Sequence, residues 1–183
     1  MSQMPMAAIA ADQRFYGVVI GIVTNVNDKQ GLGRVEITLP WYAKGYRRWA
    51  RIAQFYAGPD YGSTWVPEKD GEVLVAFSHG DMRWPYILGC LHGKVDKPPH
   101  SRSSSKDVRT LRTPSGSELS FDESEGTVTL KTSKGASITL VEKSGEITLK
   151  ATSKITLSAP EVVVEGTGDN GKVTVTGKKI ALN

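Results

Sequence analysis

From Leu119 onward an apolar–X–apolar triplet returns eight times: Leu119-Ser120-Phe121, Val128-Thr129-Leu130, Ile138-Thr139-Leu140, Ile147-Thr148-Leu149, Ile155-Thr156-Leu157, Val162-Val163-Val164, Val173-Thr174-Val175 and Ile180-Ala181-Leu182. Successive triplets begin 9, 10, 9, 8, 7, 11 and 7 residues apart, with Gly, Lys, Ser, Glu and Asp in the intervals. Period-two alternation, β-branched side chains and turn-forming residues between the runs specify strand, turn, strand. Each strand offers about two apolar side chains to an interior, too little burial to offset the ordering of about eight residues. One copy of this ladder is therefore expected to need others, which complete its core and cover its open edges.

The aromatic residues divide the chain. Thirteen of the fourteen lie between Phe15 and Tyr86, and only Phe121 lies beyond. A core built on large side chains therefore ends near residue 93. The segment 94–117, with three prolines and the run Ser101 to Ser105, reads as a linker or collar. Residues 1–14 read as a flexible N-terminal arm without the basic start of a secretory signal. No apolar run approaches the roughly 20 residues that span a bilayer. The single cysteine, Cys90, excludes an intrachain disulfide and reads as a buried small hydrophobe in Ile87-Leu88-Gly89-Cys90-Leu91. A formal charge of +4 and a pI near 9.1 are dispersed along the chain, as on a solvated, slightly basic surface.

Between Phe15 and Leu91 the pattern predicts about five strands: 16–27, 33–39, 48–55, 73–77 and 86–91. Val35, Ile37 and Leu39 alternate with Arg34, Glu36 and Thr38. Gly17 and Gly21 inside the first segment predict bends of the kind found in small barrels. The fold class is therefore all-β, beginning with a small closed barrel of the oligonucleotide/oligosaccharide-binding (OB) type over 15–93.

Catalytic and metal-binding patterns are not advertised. His79, His92 and His100 have no neighbouring His or Cys at ligand spacing. The serines lack a nucleophile elbow. Pro67-Glu68-Lys69-Asp70-Gly71 is a turn sequence, and Gly31-Leu32-Gly33 precedes a strand where a phosphate loop would open a helix. Neither enzyme activity, cofactor nor metal is expected. Trp41, Tyr42, Lys44, Tyr46, Arg47, Arg48 and Trp49 combine rings with cations, the composition of a single-strand nucleic-acid platform and equally of a protein–protein hot spot. The protein interface is preferred, because the adjoining ladder already demands association. A nucleic-acid-binding module with a β-rich oligomerisation tail is the alternative. A carbohydrate-binding fibre using Trp41, Trp49 or Trp65 is a third reading.

An ordered series of short motifs carries a resemblance. It runs Gly17-Val18-Val19, Gly33-Arg34-Val35-Glu36-Ile37, Trp49-Ala50-Arg51-Ile52, Val66-Pro67-Glu68-Lys69-Asp70-Gly71-Glu72-Val73-Leu74-Val75-Ala76-Phe77, Gly80-Asp81 and Pro85-Tyr86-Ile87-Leu88-Gly89. Thr113-Pro114-Ser115-Gly116-Ser117-Glu118-Leu119-Ser120-Phe121-Asp122-Glu123 follows as a hinge-like run. Together they resemble the baseplate assembly protein V family of contractile phage tails and the barrel domain of VgrG spikes.

The resemblance implies a homotrimeric central spike that joins a baseplate hub to a tip and pierces the target envelope when the sheath contracts. It implies an intertwined, triple-stranded β-helix over 118–183. Its interior would hold Leu119, Phe121, Val128, Leu130, Ile138, Leu140, Ile147, Leu149, Ile155, Leu157, Val162, Val164, Val173, Val175, Ile180 and Leu182. Trp41, Tyr42, Tyr46, Arg47 and Arg48 would face the hub protein. Ile180, Ala181, Leu182 and Asn183 would meet a PAAR-type tip protein. Neither nucleic acid nor stable membrane insertion is expected. The location implied is a virion or phage-tail-like particle assembled in the bacterial cytoplasm. Some members carry a lysozyme domain between barrel and needle, a His-x-His iron site at the tip or a hub domain ahead of the barrel; by comparison with them, none of these is expected for this chain.

Overall fold

The structure, a computed structural model, describes residues 14–42, 45–100, 107–169, 171–178 and 180. It contains two compact units, divided between Pro98 and Pro99.

The first unit is a closed barrel. Its strands are β1 (Val19–Asn25), β2 (Val35–Thr38), β3 (Arg48–Ile52), β6 (Glu72–Phe77) and β7 (Pro85–Cys90), hydrogen-bonded in the order β1-β2-β3-β7-β6 and back to β1. A two-residue pair, β4 (Ala57–Gly58) with β5 (Tyr61–Gly62), lies between β3 and β6. All barrel pairings are antiparallel except β3 with β7, where Arg51 faces Tyr86 and Ile52 faces Ile87. Five strands closed in this order fit the expected OB barrel. Alternation drives closure: Val35 and Ile37 of β2, Ala50 of β3, Val73 and Val75 of β6 and Ile87 of β7 are all fully buried.

Gly21 has a packing role. A Cβ there would lie 2.9 Å from Val75 Cγ2 on the adjacent β6. Gly17 precedes β1, and the irregularity in the strand is a register shift between Val23 and Asn25. Cys90, expected inside, is exposed. It is the last residue of β7, beyond a register shift that skips Leu88 in the pairing with β6.

The β1–β2 loop is organised by one carboxylate. Asp28 accepts hydrogen bonds from the backbone N–H groups of Gln30, Leu32 and Arg34, and from Arg34 Nε and Nη2 at 2.9 Å each. The Arg34 hydrogen bonds hold its carboxyl well below the usual carboxylate range, against the opposing effect of desolvation.

The second unit is a five-stranded antiparallel meander: β8 (Val108–Arg112), β9 (Glu118–Asp122), β10 (Thr127–Lys131), β11 (Ser137–Val141) and β12 (Glu146–Lys150). Strand β8 falls inside the segment expected to be a linker, because it pairs along its full length with β9. The first four triplets are the centres of β9 to β12, paired in register with chain neighbours. Two rows therefore share one face. One is Leu111, Leu119, Leu130, Ile138 and Leu149; the other is Arg109, Phe121, Val128, Leu140 and Ile147. Between them, on the opposite face, runs a hydroxyl row of Thr110, Ser120, Thr129, Thr139 and Thr148.

That opposite face also carries Glu118, 3% exposed. Arg112 and Lys131 stand directly across from it on the two neighbouring strands. Lys131 Nζ lies 3.1 Å from Glu118 Oε1 and Arg112 Nε 3.7 Å from Oε2. His100 Nε2 approaches Oε1 to 3.7 Å without a hydrogen bond. Cross-strand charge pairing thus pins the start of β9.

The later triplets behave differently. Residues 155–157, 162–164 and 173–175 form no strand, and Ile155, Leu157, Val162, Val164, Val173, Val175 and Ile180 are exposed. The strands expected there are not formed by the described residues, which enter none of the sheets. Ala181, Leu182 and Asn183 lie outside the described residues.

Two outcomes test this description. Gly21→Ala forces its methyl against the stiff Val75 side chain, and we expect a loss of about 1–3 kcal/mol in barrel stability. Urea unfolding followed by tryptophan fluorescence checks it, since all four tryptophans lie in the barrel segment; an unchanged midpoint rejects the packing role. Asp28→Asn should lower the melting temperature near neutral pH. Because the folded carboxyl titrates below its unfolded value of about 3.9, its stabilisation is complete above that value and fades as pH falls toward the folded one. The gap between parent and variant should therefore shrink below about pH 4. A gap that persists undiminished to about pH 2 contradicts this.

Candidate functional site

An aromatic relay leads from the barrel core to the surface. The Phe15 ring stacks edge-on against Phe77 at 6.0 Å and tilts against Trp41 at 5.2 Å. Trp41 meets Tyr42 at 5.6 Å, and Tyr42 meets Tyr46 at 5.9 Å. Edge-to-face geometry of this kind adds to plain area burial and fixes ring orientation. The first ring is placed by the backbone: Phe15 N–H donates to Gly80 C=O at 2.7 Å. Gly80 has φ +74, and a Cβ there would sit 2.9 Å from Arg14 Cβ and 3.0 Å from Phe15 N. Only glycine fits that approach.

Tyr46 is anchored at both ends. Its ring packs on the core and its hydroxyl donates to Met82 C=O at 2.8 Å. Burial pushes the phenol up to about 12. The Arg48 guanidinium stands over its face, 5.7 Å from the ring centroid.

These groups border a depression of about 700 Å³ formed by the β2–β3 and β6–β7 connections. Tyr42, Tyr46 and Arg48 line it with Arg14, His79, Arg83 and Trp84. Asp81 accepts from Arg83 Nη2 at 2.6 Å, and that contact lowers its carboxyl to about 2. The one carboxylate of the depression is thereby committed locally, and the surface presented is aromatic and cationic. Rings held rigidly beside guanidinium groups lose little entropy on contact and suit a protein interface.

The five residues expected to form one partner surface do not all converge. Trp41 stacks behind Tyr42. Arg47 turns away: its Nη1 bonds Glu36 Oε2 at 3.2 Å, and Thr24 Oγ1 donates to the same carboxylate oxygen at 2.9 Å. Lys44 lies outside the described residues. The β6–β7 connection was missed as a contributor, although Gly80-Asp81 and Trp84-Pro85 mark it in the sequence as a turn carrying an aromatic ring.

The second surface is the apolar face of the meander. Ile147 is 67% exposed, and Phe121, Leu130, Ile138, Leu140 and Leu149 are also exposed. A contiguous apolar face of this kind marks an interaction surface. Among the described residues, no cluster of three or more His, Cys, Asp or Glu side chains could hold a metal, and no helix is long and apolar enough to cross a membrane.

The family described as the Type VI secretion system/phage-baseplate injector OB domain matches residues 19–92. The Type VI secretion system spike protein VgrG3 of Vibrio cholerae is 30% identical over 133 residues, covering 67% of this chain and 13% of that protein. The actin cross-linking toxin VgrG1 of Vibrio cholerae is 35% identical over 104 residues, 51% of this chain and 10% of that protein. The spike protein VgrG2a of Pseudomonas aeruginosa is 30% identical over 86 residues, 44% of this chain and 10% of that protein. The chain thus spans about a tenth of the length of these relatives. Residues 19–92 form an injector OB domain of the Type VI secretion system/phage-baseplate family, and the chain is a relative of the VgrG-like baseplate spike proteins.

Proposed function

We propose that this chain is a non-catalytic subunit of the central spike of a contractile phage tail or phage-tail-like injection particle, working as a homotrimer. The observation that carries this reading is the apolar face of β8–β12. Its rows are straight, in register and open to water, so a single copy leaves the ladder without an interior. Three copies arranged about one axis turn those faces inward and leave the Thr and Ser row with its flanking charges outside.

In the same arrangement the exposed Ile155, Leu157, Val162, Val164, Val173, Val175 and Ile180 gain strand partners from neighbouring chains and wind into a β-helical needle. Strands bonded across three chains have few open edges and resist axial load. The depression at Tyr42, Tyr46 and Arg48 receives the baseplate hub, and the segment Ile180 to Asn183 seats a PAAR-type tip protein. Such a particle assembles in the bacterial cytoplasm and pierces a target envelope when its sheath contracts.

Light scattering coupled to size exclusion should give a mass three times the 19.8 kDa of one chain. Leu130→Asp combined with Ile138→Asp should yield monomers whose tryptophan fluorescence matches the parent, because the substitutions spare the barrel. A parent protein that remains a well-folded monomer at micromolar concentration overturns the proposal. Removing residues 160–183 should abolish capture of a PAAR-type protein while the shortened chain remains trimeric. Undiminished capture rejects the assigned tip contact.

A further inference from the structure

We infer that the outer face of the barrel carries a second docking groove, built to receive an extended acidic peptide segment of a partner protein through Arg51. This goes beyond the hub and tip contacts proposed above. The groove, of about 360 Å³, is lined by Leu32 of the β1–β2 loop, Arg34, Trp49 and Arg51 beside it, and Trp84, Pro85 and Tyr86 at the start of β7. Trp49 and Arg51 alternate with the buried Ala50, so they share the outward side of β3.

The walls are fixed before any ligand arrives. Arg51 lies opposite Tyr86 in the parallel β3–β7 pairing, and its guanidinium stands 5.9 Å from that ring's centroid. Arg34 stands 5.7 Å from the Trp49 centroid and is clamped there by both oxygens of Asp28. Above these braced groups two large side chains remain open to solvent: Leu32 and Trp84, each 64% exposed. Fixed rings and cations reduce the ordering cost of binding.

Charge identifies the occupant. Arg34 is neutralised by Asp28, whereas Arg51 forms no ion pair with a carboxylate among the described residues. The groove therefore offers one uncompensated guanidinium flanked by apolar and aromatic surface. Barrels of this type commonly bind oligonucleotides on this side, between the loops joining their first two and last two strands. A polynucleotide, however, is held by several cations following its phosphates. A single guanidinium between hydrophobic walls matches one carboxylate with apolar neighbours, the arrangement an extended peptide presents when one acidic residue has apolar residues two positions before and after it on the same side.

The test uses the full chain and fluorescence anisotropy with a labelled extended decapeptide of Ser residues carrying one central Asp with Leu two positions before and after it. The same peptide with Lys in place of Asp and a labelled oligo-dT serve as comparisons. Saturable binding of the acidic peptide is expected, weakened at least tenfold by Arg51→Gln and by Leu32→Ser. Arg48→Gln, in the neighbouring depression, should leave it within twofold. Circular dichroism confirms that each variant retains the parent fold. The inference is overturned by absence of acidic-peptide binding up to millimolar concentration, by equal binding to Arg51→Gln, or by equal binding of the basic peptide. It is also overturned by oligo-dT binding more tightly than the acidic peptide with a steep salt dependence, which reassigns the groove to nucleic acid.

Discussion

A β-sheet whose one face is apolar over five strands cannot rest against water. The inner strands of the second unit's meander satisfy their backbone inside one chain, while its edge strands β8 and β12 each pair on one side only, so its unmet requirements are an apolar face and two open edges. Hydrogen bonding fixes the register, and register fixes which residues share a face. Leu111, Leu119, Leu130, Ile138 and Leu149 fall in one row as a consequence of turn lengths and not of any contact between those side chains. The spike reading follows from that alignment, because aligned apolar rows are useful only when something covers them.

Ion pairs in the barrel serve geometry more than stability. Asp28 with Arg34, Asp81 with Arg83 and Glu36 with Arg47 each tie a loop or strand end beside an aromatic surface. The pairs with exposed arginines, Asp81 with Arg83 and Glu36 with Arg47, contribute little free energy individually, whereas the Asp28 side chain is largely buried. Their effect is to choose which cations stay available. Arg34, Arg47 and Arg83 are committed to neighbouring carboxylates, whereas Arg48 and Arg51 lie over tyrosine rings. Two guanidinium groups, those of Arg48 and Arg51, are thereby held at specific places beside aromatic surface.

The barrel was legible in the sequence through its strand patterns. Val35 and Ile37 face inward with the polar Glu36 between them, and Val73, Val75 and Phe77 face inward within a continuous apolar run. Strand β8 was less legible: Arg109 and Arg112 interrupt its apolar pattern, and it becomes a strand by pairing with β9. The site was only partly legible for a related reason. Arg47, just before β3, and Arg48, its first residue, are adjacent in sequence but meet different partners, Glu36 and Tyr46. The groove at Arg51 unites residues separated by more than fifty positions, brought together by the parallel β3–β7 pairing that no local pattern announces.

The two units differ in what completes them, and that difference bears on assembly. The barrel holds a closed core of nine buried side chains within one chain. Its stability is therefore a property of the monomer. On the proposed trimeric reading, the ladder beyond it gains its interior by association, and its stability then depends on protein concentration by mass action. A chain of this design can present a folded, binding-competent barrel before the remainder is ordered. The barrels, once gathered at a common partner, raise the effective concentration of the ladders attached to them. In the proposed spike, recruitment through the barrel surface and completion of the ladder are linked steps, and that linkage would restrict assembly to the site where the barrels are held.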